Sequence, residues 1–256
     1  MENETKKRVL VTGMNGLIGS ALRRILGDKY EWSALNRRDL PGVPTLQADI
    51  SNLEAIRPAF EGIDTVVHLA ATLDVDATWD ELLQPNIVGT YNVFEAARAA
   101  GVKRVIFASS GATVAGVHRE EPFKALVEGR YSVVGGSWPM LTHESMPRPL
   151  GFYGVTKVFG EVLARHFVDT SPMSIICLRI GWVGAQDRPE GAARFANWCS
   201  QRDLVQMIDL SIQAPDTLRY DIFFVTSNNK WSYRDLEHAR SVLGYAPQDN
   251  AEDYRQ

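Results

Sequence analysis

An apolar run, Arg8 to Thr12 (RVLVT), stands directly before Gly13-Met14-Asn15-Gly16-Leu17-Ile18-Gly19. A buried-type strand that ends in G-x-x-G-x-x-G and opens a helix constrains the fold more than any other feature of this chain. The first glycine permits a tight turn, the second lets backbone approach a pyrophosphate, and the third lets helix pack closely on strand. The pyrophosphate then rests on the helix N-terminus, where free N–H groups and the helix dipole favour an anion. Gly13, Asn15, Gly16, Leu17, Ile18 and Gly19 are therefore candidate cofactor contacts. A glycine trio alone is weak evidence, and its setting gives it force, because further strand–helix units follow.

Those units are read from apolar periodicity. Leu17 to Leu26 is an apolar helix with Arg23 and Arg24 on its other face. Glu31 to Leu35 and Thr45 to Ala48 read as strands, and Asp64 to Ala71 (DTVVHLAA) as a stronger one. Trp79 to Ala100 reads as a long alanine-rich helix ended by Gly101. Arg104 to Ser109 and Ser174 to Ile180 are further strands, with a helix from Phe152 to Val168 between them. Strands alternating with helices imply right-handed crossovers and a parallel sheet. The expected fold class is α/β, a Rossmann-type doubly wound parallel sheet. Residues 1–180 form its dinucleotide-binding part, and 181–256 a small C-terminal substrate-binding portion integral to the same fold. In that portion Asp221 to Val225 reads as a strand and Tyr233 to Leu243 as a helix. Residues 117–149 lack clean periodicity and read as a long loop with a short helix over Phe123 to Val127; long structured loops in compact domains are often functional.

Composition removes several function classes. Apolar residues make up 45% of the 256, enough for a large core without staples. Net charge is −4 and no basic run exceeds Lys6-Lys7-Arg8, which argues against nucleic acid as a partner. Cys177 and Cys199 are too few for a disulfide framework or a thiolate metal cluster, so the expectation is buried thiols in a reducing compartment. The five histidines show no ligand spacing, and no metal is expected. No apolar run approaches about 18 residues, so no membrane span is expected, and the chain reads as cytoplasmic.

An acidic residue at the end of the second strand would bind a ribose 2′-hydroxyl. Here the residues are Asn36-Arg37-Arg38. Guanidinium groups suit a 2′-phosphate that a carboxylate would repel, so NADP is favoured over NAD. The alternative is that both arginines are solvated loop charges. Asp49, followed by Ile50, either accepts from an adenine amino group or caps the next helix, with Ser51 an equal candidate cap.

Tyr153 and Lys157 stand four apart in YGVTK. On a helix they share one face, and an ammonium beside a phenol stabilises phenolate and lowers the phenol's pKa. The strand RVIFAS ends in Ser109-Ser110, at the edge where parallel sheets hold ligands.

With these residues in place, the chain resembles the extended short-chain dehydrogenase/reductases, the NAD-dependent epimerase/dehydratase family. The matching stretches are VTGMNGLIG (11–19), DI (49–50), VVHLAA (66–71), NIVGTYNVFEAA (86–97), VIFASS (105–110), LTHESMPRPLGFYGVTK (141–157) and LRIGWVG (178–184). The resemblance implies Tyr153 as catalytic acid/base and Lys157 as the group that binds the nicotinamide ribose. It implies Ser110 as holder of the reacting oxygen, and Leu69, Ala70, Ala71 and Asn86 beside the cofactor. Members often dimerise through two helices, which points to residues 79–100 and 152–168 as a possible homodimer face.

Within the family the chain looks most like the uronate and aldose dehydrogenases, through NIVGTYNVFEAARAAG (86–101), RFANWCSQRDLVQMIDLSIQAP (194–215) and LGYAPQDNAEDYR (243–255). That group oxidises the anomeric hydroxyl of a sugar or sugar acid to a lactone, which implies a small sugar-like substrate here. Substrate contacts would include Thr72, Ser110, Gly111, Trp182 and Arg194. Three departures stand out. Gly111-Ala112 occupy the place of an Asn-His pair, Trp182 that of a serine, and Asn36 that of the acidic residue that selects NAD. Arg194 either binds a substrate carboxylate or forms a surface ion pair. Residues 117–149 are an insertion expected to reshape the substrate pocket, with His118, Arg130, Trp138 and His143 as candidates. Two rival readings are an NADPH-dependent reductase of a less polar ketone or aldehyde, and a sugar-nucleotide epimerase or dehydratase with tightly held NAD. A third is a redox-sensing binder without turnover.

Overall fold

A computed structural model describes residues 6–74 and 76–255. Seven strands form one parallel sheet in the order β3-β2-β1-β4-β5-β6-β7. They are β1 (Arg8–Thr12), β2 (Glu31–Asn36), β3 (Thr45–Gln47), β4 (Thr65–His68), β5 (Arg104–Ser110), β6 (Ser174–Ile180) and β7 (Tyr220–Val225). The helices are α1 (Leu17–Leu26), α2 (Leu53–Ile56), α3 (Trp79–Leu82), α4 (Gly89–Ala99), α5 (Phe123–Val127), α6 (Gly151–Thr170), α7 (Gln201–Gln213) and α8 (Glu237–Leu243).

Alternation along each strand builds two cores. Val9 and Val11 of β1, with Val67, Ile106 and Ile176, face one side and pack with Leu22 of α1 and Leu204 and Ile208 of α7. Leu10, Val66, Val105 and Ile175 face the other and pack with Val93 and Phe94 of α4 and Ala164 and Phe167 of α6. Burial of both faces explains why the strands read as unbroken apolar runs. The order of connection reverses between β1 and β4, and the crevice at their carboxyl ends is where such sheets bind ligands. The C-terminal portion continues the same layers, since β7 pairs with β6 and α7 packs beside α1.

Several boundaries differ from the periodicity. β4 ends at His68 because the next residues leave the ladder: Leu69 N–H donates to the Thr12 carbonyl and Ala70 N–H to Thr12 Oγ1. The expected helix from Trp79 to Ala100 is α3 and α4 joined by a π-helical turn over Leu83–Val88. Pro85 lies in this turn and has no N–H to donate, so a regular ladder is locally lost. α8 begins at Glu237 rather than Tyr233, because Leu141 N–H donates to the Tyr233 carbonyl and Asp235 N–H to the Leu141 carbonyl. That pairing fixes residues 233–235 as extended chain.

Residues 117–133 fold as short helical turns and 134–149 as irregular chain, and α5 matches the expected Phe123–Val127 helix. Their apolar side chains form a third cluster, in which Leu126 and Tyr131 meet Phe195, Trp198 and Tyr233. Cys177 and Cys199 are buried free thiols, and burial pushes both thiols up. Among the described residues, none group as metal ligands and no helix is long and apolar enough to cross a membrane.

His68 is buried on β4, with Nδ1 2.8 Å from Thr12 Oγ1, and burial pushes its pKa down to about 3. The folded pKa lies below the unfolded one, so between them the unfolded chain binds more protons and stability falls as pH falls. Urea unfolding should show His68→Gln losing about 2–3 kcal/mol less than the wild type between about pH 7 and 4.5. Parallel pH profiles for the two proteins would contradict this.

Candidate active site

The glycine turn does what its spacing requires. Gly13 has φ +73°, and a Cβ there would lie 3.0 Å from the Ala70 nitrogen. Gly19 packs on the backbone of Met14 so closely that no side chain fits. Gly16 is the N-cap of α1 and carries no side-chain cap, so the first N–H groups of the helix face the turn free.

A groove of about 840 Å³ runs along this edge of the sheet. Gly13, Asn15, Gly16, Asn36, Arg37, Arg38, Asp49, Ile50, Leu69, Ala70, Ala71 and Thr72 line it, all of them expected contacts. Sequence reasoning missed Leu35, Ala48, Leu73, Glu81, Gln84 and Pro85. The last three come from α3 and the π turn, whose position only the fold reveals. Leu17, Ile18, Gly19, Asn86, Tyr153 and Lys157, also expected beside the cofactor, are not among the lining residues. Gly19 serves helix packing. Asn86 is buried and braces the loop at Thr72, accepting from Thr72 N–H at 2.8 Å and donating to its carbonyl at 3.0 Å. It also donates to Thr156 Oγ1 of α6 at 3.2 Å, tying that loop to the tyrosine helix.

The adenosine end of the groove has a distinct chemistry. Asn36 is buried, and both its amide nitrogen and oxygen lack a protein partner. Buried polar atoms normally find partners, so this amide suits a ligand's hydroxyl groups. Asp49 accepts from Ser51 N–H and Oγ, both at 2.8 Å, and these bonds hold its carboxyl below the usual range. Neither it nor Ser51 caps α2; Asn52 does, accepting from Ala55 N–H. The uncapped helix, the close glycine turn and the orphaned Asn36 amide together fit a dinucleotide.

The catalytic candidates converge at the carboxyl end of β5. Tyr153 and Lys157 share one face of α6, with Nζ 5.6 Å from the phenol ring centre. Lys157 Nζ donates to the Ala108 carbonyl at 2.9 Å. Ser110 Oγ accepts from Ala112 N–H at 3.1 Å, and the serine stands close enough to the Tyr153 hydroxyl to pull the phenol's pKa down. The expected lowering of the phenol does not occur in this site. Burial pushes Tyr153 up to about 12, against which Ser110 pulls it down, and burial pushes Lys157 down to about 8. Desolvation sets the direction of both shifts. Ser109, the second serine, points elsewhere, donating to Glu161 at 2.6 Å.

The remaining expected substrate contacts divide. Gly111 lies against a buried arginine, Arg234, which sequence reasoning did not single out. Trp182 carries the Arg194 guanidinium 5.1 Å from its ring centre, and Arg194 itself is exposed. Within the insertion, Arg130 pairs with Glu121 and Glu128 at the surface, each at 2.6 Å. Trp138 donates to the Ser232 carbonyl, and His143 stacks on His238 with ring centres 3.6 Å apart. His118 lies 2.6 Å from the Tyr233 hydroxyl, and burial pushes its pKa down to about 4. These four tie the insertion to itself and to the C-terminal chain.

Comparison with known proteins gives this geometry a family. Residues 9–202 match the NAD dependent epimerase/dehydratase family. The NAD-dependent glucose-6-phosphate dehydrogenase of Haloferax volcanii is 32% identical, over 96% of this chain and 95% of its own length. The L-arabinose 1-dehydrogenase (NAD(P)(+)) of the same organism is 34% identical, over 95% and 97%. A mutant uronate dehydrogenase from Agrobacterium tumefaciens, solved in complex with NAD, superposes with a TM-score of 0.80 at 31% identity, over 97% of this chain and 87% of that one. The chain belongs to the NAD dependent epimerase/dehydratase family and is similar, along nearly its whole length, to the sugar and sugar-acid dehydrogenases within it.

Proposed function

We propose that this chain oxidises the C1 hydroxyl of an aldose or aldose acid to the lactone, with a nicotinamide dinucleotide as redox partner. The observation that carries this is the meeting of Ser110, Tyr153 and Lys157 at the carboxyl end of β5, beyond the glycine-headed groove. The relatives' names, which cover a phosphorylated hexose, a pentose and uronates, supply the substrate class. When bound, the dinucleotide supplies the hydride acceptor. Tyr153 takes the hydroxyl proton, Ser110 donates to the oxygen as charge develops on it, and Lys157 holds its amine beside the phenol ring, 5.6 Å from its centre. Its hydrogen bond to the Ala108 carbonyl fixes where that amine sits. The test is steady-state turnover of neutral aldoses, uronates, aldose phosphates and apolar ketones with NAD and NADP. Lactone formation from aldoses is expected; turnover confined to apolar ketones would overturn the reading.

The finer cofactor preference is part of the proposal. No carboxylate stands at the end of β2 to repel a 2′-phosphate, and Arg37 and Arg38 both line the groove. NADP is therefore the preferred form. Replacing both arginines with alanine should lower the NADP-to-NAD ratio of kcat/KM by about 10- to 150-fold, the range for hydrogen bonds to a charged group. An unchanged ratio would remove the preference.

A homodimer is also proposed. Tyr91 of α4 and Phe152, Val155 and Val162 of α6 are exposed apolar side chains on the two helices expected to pair. Light scattering at the mass of one chain would exclude it.

A further inference from the structure

Arg234 is 4% exposed, yet it takes part in no ion pair among the described residues. Its Nε and Nη1 find no partner in the protein. Its guanidinium lies over two aromatic rings, 5.4 Å from the centre of Tyr233 and 6.0 Å from that of Phe224. A guanidinium stays charged at any ordinary pH, and burying one without a counter-ion is costly.

Its position gives that cost a purpose. A Cβ on Gly111 would overlap the Arg234 guanidinium, so the arginine fills the space a side chain would take one residue after Ser110. A Cβ on Gly181, just past the end of β6, would lie 3.3 Å from Arg234 Nη1 and 2.9 Å from Thr226 Cγ2. Arg234 thus occupies the carboxyl ends of two neighbouring strands, the edge that carries the reacting groups. Two more buried polar atoms without partners belong to residues around Gly181, Asn197 Oδ1 and Thr226 Oγ1.

The insertion holds this arrangement. Leu141 pairs with the Arg234 stretch through bonds of 2.8 and 2.9 Å, Trp138 Nε1 donates to the Ser232 carbonyl at 3.0 Å, and His118 meets the Tyr233 hydroxyl at 2.6 Å. Arg194, by contrast, is exposed beside Trp182.

We propose that Arg234 binds an anionic group of the substrate, a carboxylate or a phosphate, through its unpartnered N–H groups, with Asn197 and Thr226 meeting the sugar's hydroxyls. Nε–H and Nη1–H lie on different edges of the guanidinium, so each supplies a separate donor to an oxyanion, and the lack of an ion pair among the described residues leaves the charge free for it. This rests on the sugar-dehydrogenase reading, and it places the anion contact on Arg234 rather than on Arg194.

The test compares the cofactor-loaded wild type with Arg234→Gln, Arg234→Lys and Arg194→Gln on a hexuronate, a hexose 6-phosphate and the parent neutral hexose. Both kcat/KM and thermal protection by each sugar are read. The wild type should prefer one anionic sugar, and which one identifies carboxylate or phosphate as the group bound. Arg234→Gln should lower the anionic-to-neutral ratio by about 10- to 150-fold, with Arg234→Lys recovering part of it. Should the Gln variant fail to fold, the wild-type preference and the Lys variant decide. Absence of any anion preference in both readouts overturns the proposal, as does a ratio that collapses in Arg194→Gln and not in Arg234→Gln. A wild type that oxidises neutral aldoses alone sinks the subsite and leaves the dehydrogenase standing. Anion-selective protection without any aldose turnover does the reverse.

Discussion

Tyr153→Phe should lower kcat by about 10²- to 10⁴-fold, the range for loss of a positioned general acid or base. The ring keeps its packing against Ala77, Leu82 and Ala112, so the fold and the cofactor groove survive and the loss is chemical. Dinucleotide affinity, read by calorimetry, should stay within about twofold, because Tyr153 is not among the residues that line the glycine-headed groove. The pH profile is a second signature. Burial pushes the phenol up to about 12, so it is protonated at neutral pH and must shed that proton before it can accept another. Oxidation by the wild type should therefore accelerate from neutral into alkaline pH, and the residual rate of the variant should not. Undiminished turnover in Tyr153→Phe would remove the phenol from the chemistry.

Glu161→Ala should cost about 3–5 kcal/mol of stability, the range for leaving a buried charge unpaired. Arg179 and Glu161 form a two-pronged ion pair, with bonds of 2.9 and 2.8 Å, and their side chains are 2% and 4% exposed. Ser109 adds a third bond to the same carboxylate, and the Tyr220 hydroxyl donates to the Glu161 carbonyl at 3.1 Å. One residue of α6 is thus tied to β5, β6 and β7 together. Glu161 stands one turn beyond Lys157, so this anchor sets the height of Lys157 and Tyr153 over the sheet. Thermal unfolding should drop by roughly 10 °C for a chain of this size. Arg165→Ala at the exposed Arg165–Asp169 pair should cost under about 1 kcal/mol, because solvent screens it. The double replacement Glu161→Leu with Arg179→Met should recover much of the loss, since it removes both charges together. A Glu161→Ala variant as stable as the wild type would show that the pair is no anchor.

The parallel sheet was legible in the residues because β1, β4, β5 and β6 are buried on both faces and stand out as apolar runs. The glycine turn was legible because each glycine answers a steric demand. Less was readable after Ile180. α7 went unrecognised as a helix, since its polar positions are interleaved: Asp203 and Gln201 are themselves buried and hydrogen-bonded. The break within Leu83–Val88 depends on Pro85 in a helix otherwise rich in good formers. Arg234 was invisible for a plain reason. Only the fold brings it against Gly111, more than a hundred positions away in the chain, and no local pattern marks it.

The clasp between residues 138–141 and 231–235 joins stretches about ninety positions apart, as in the bond from Trp138 to Ser232. Its hydrogen bonds run to main-chain carbonyls and amides, so neither stretch keeps its shape without the other. Anyone building chimaeras with a relative should therefore transplant both together. Grafting the earlier stretch alone would strand the indole N–H of Trp138 and the amide of Leu141, and the recipient would gain a floppy surface tongue where a pocket wall was intended.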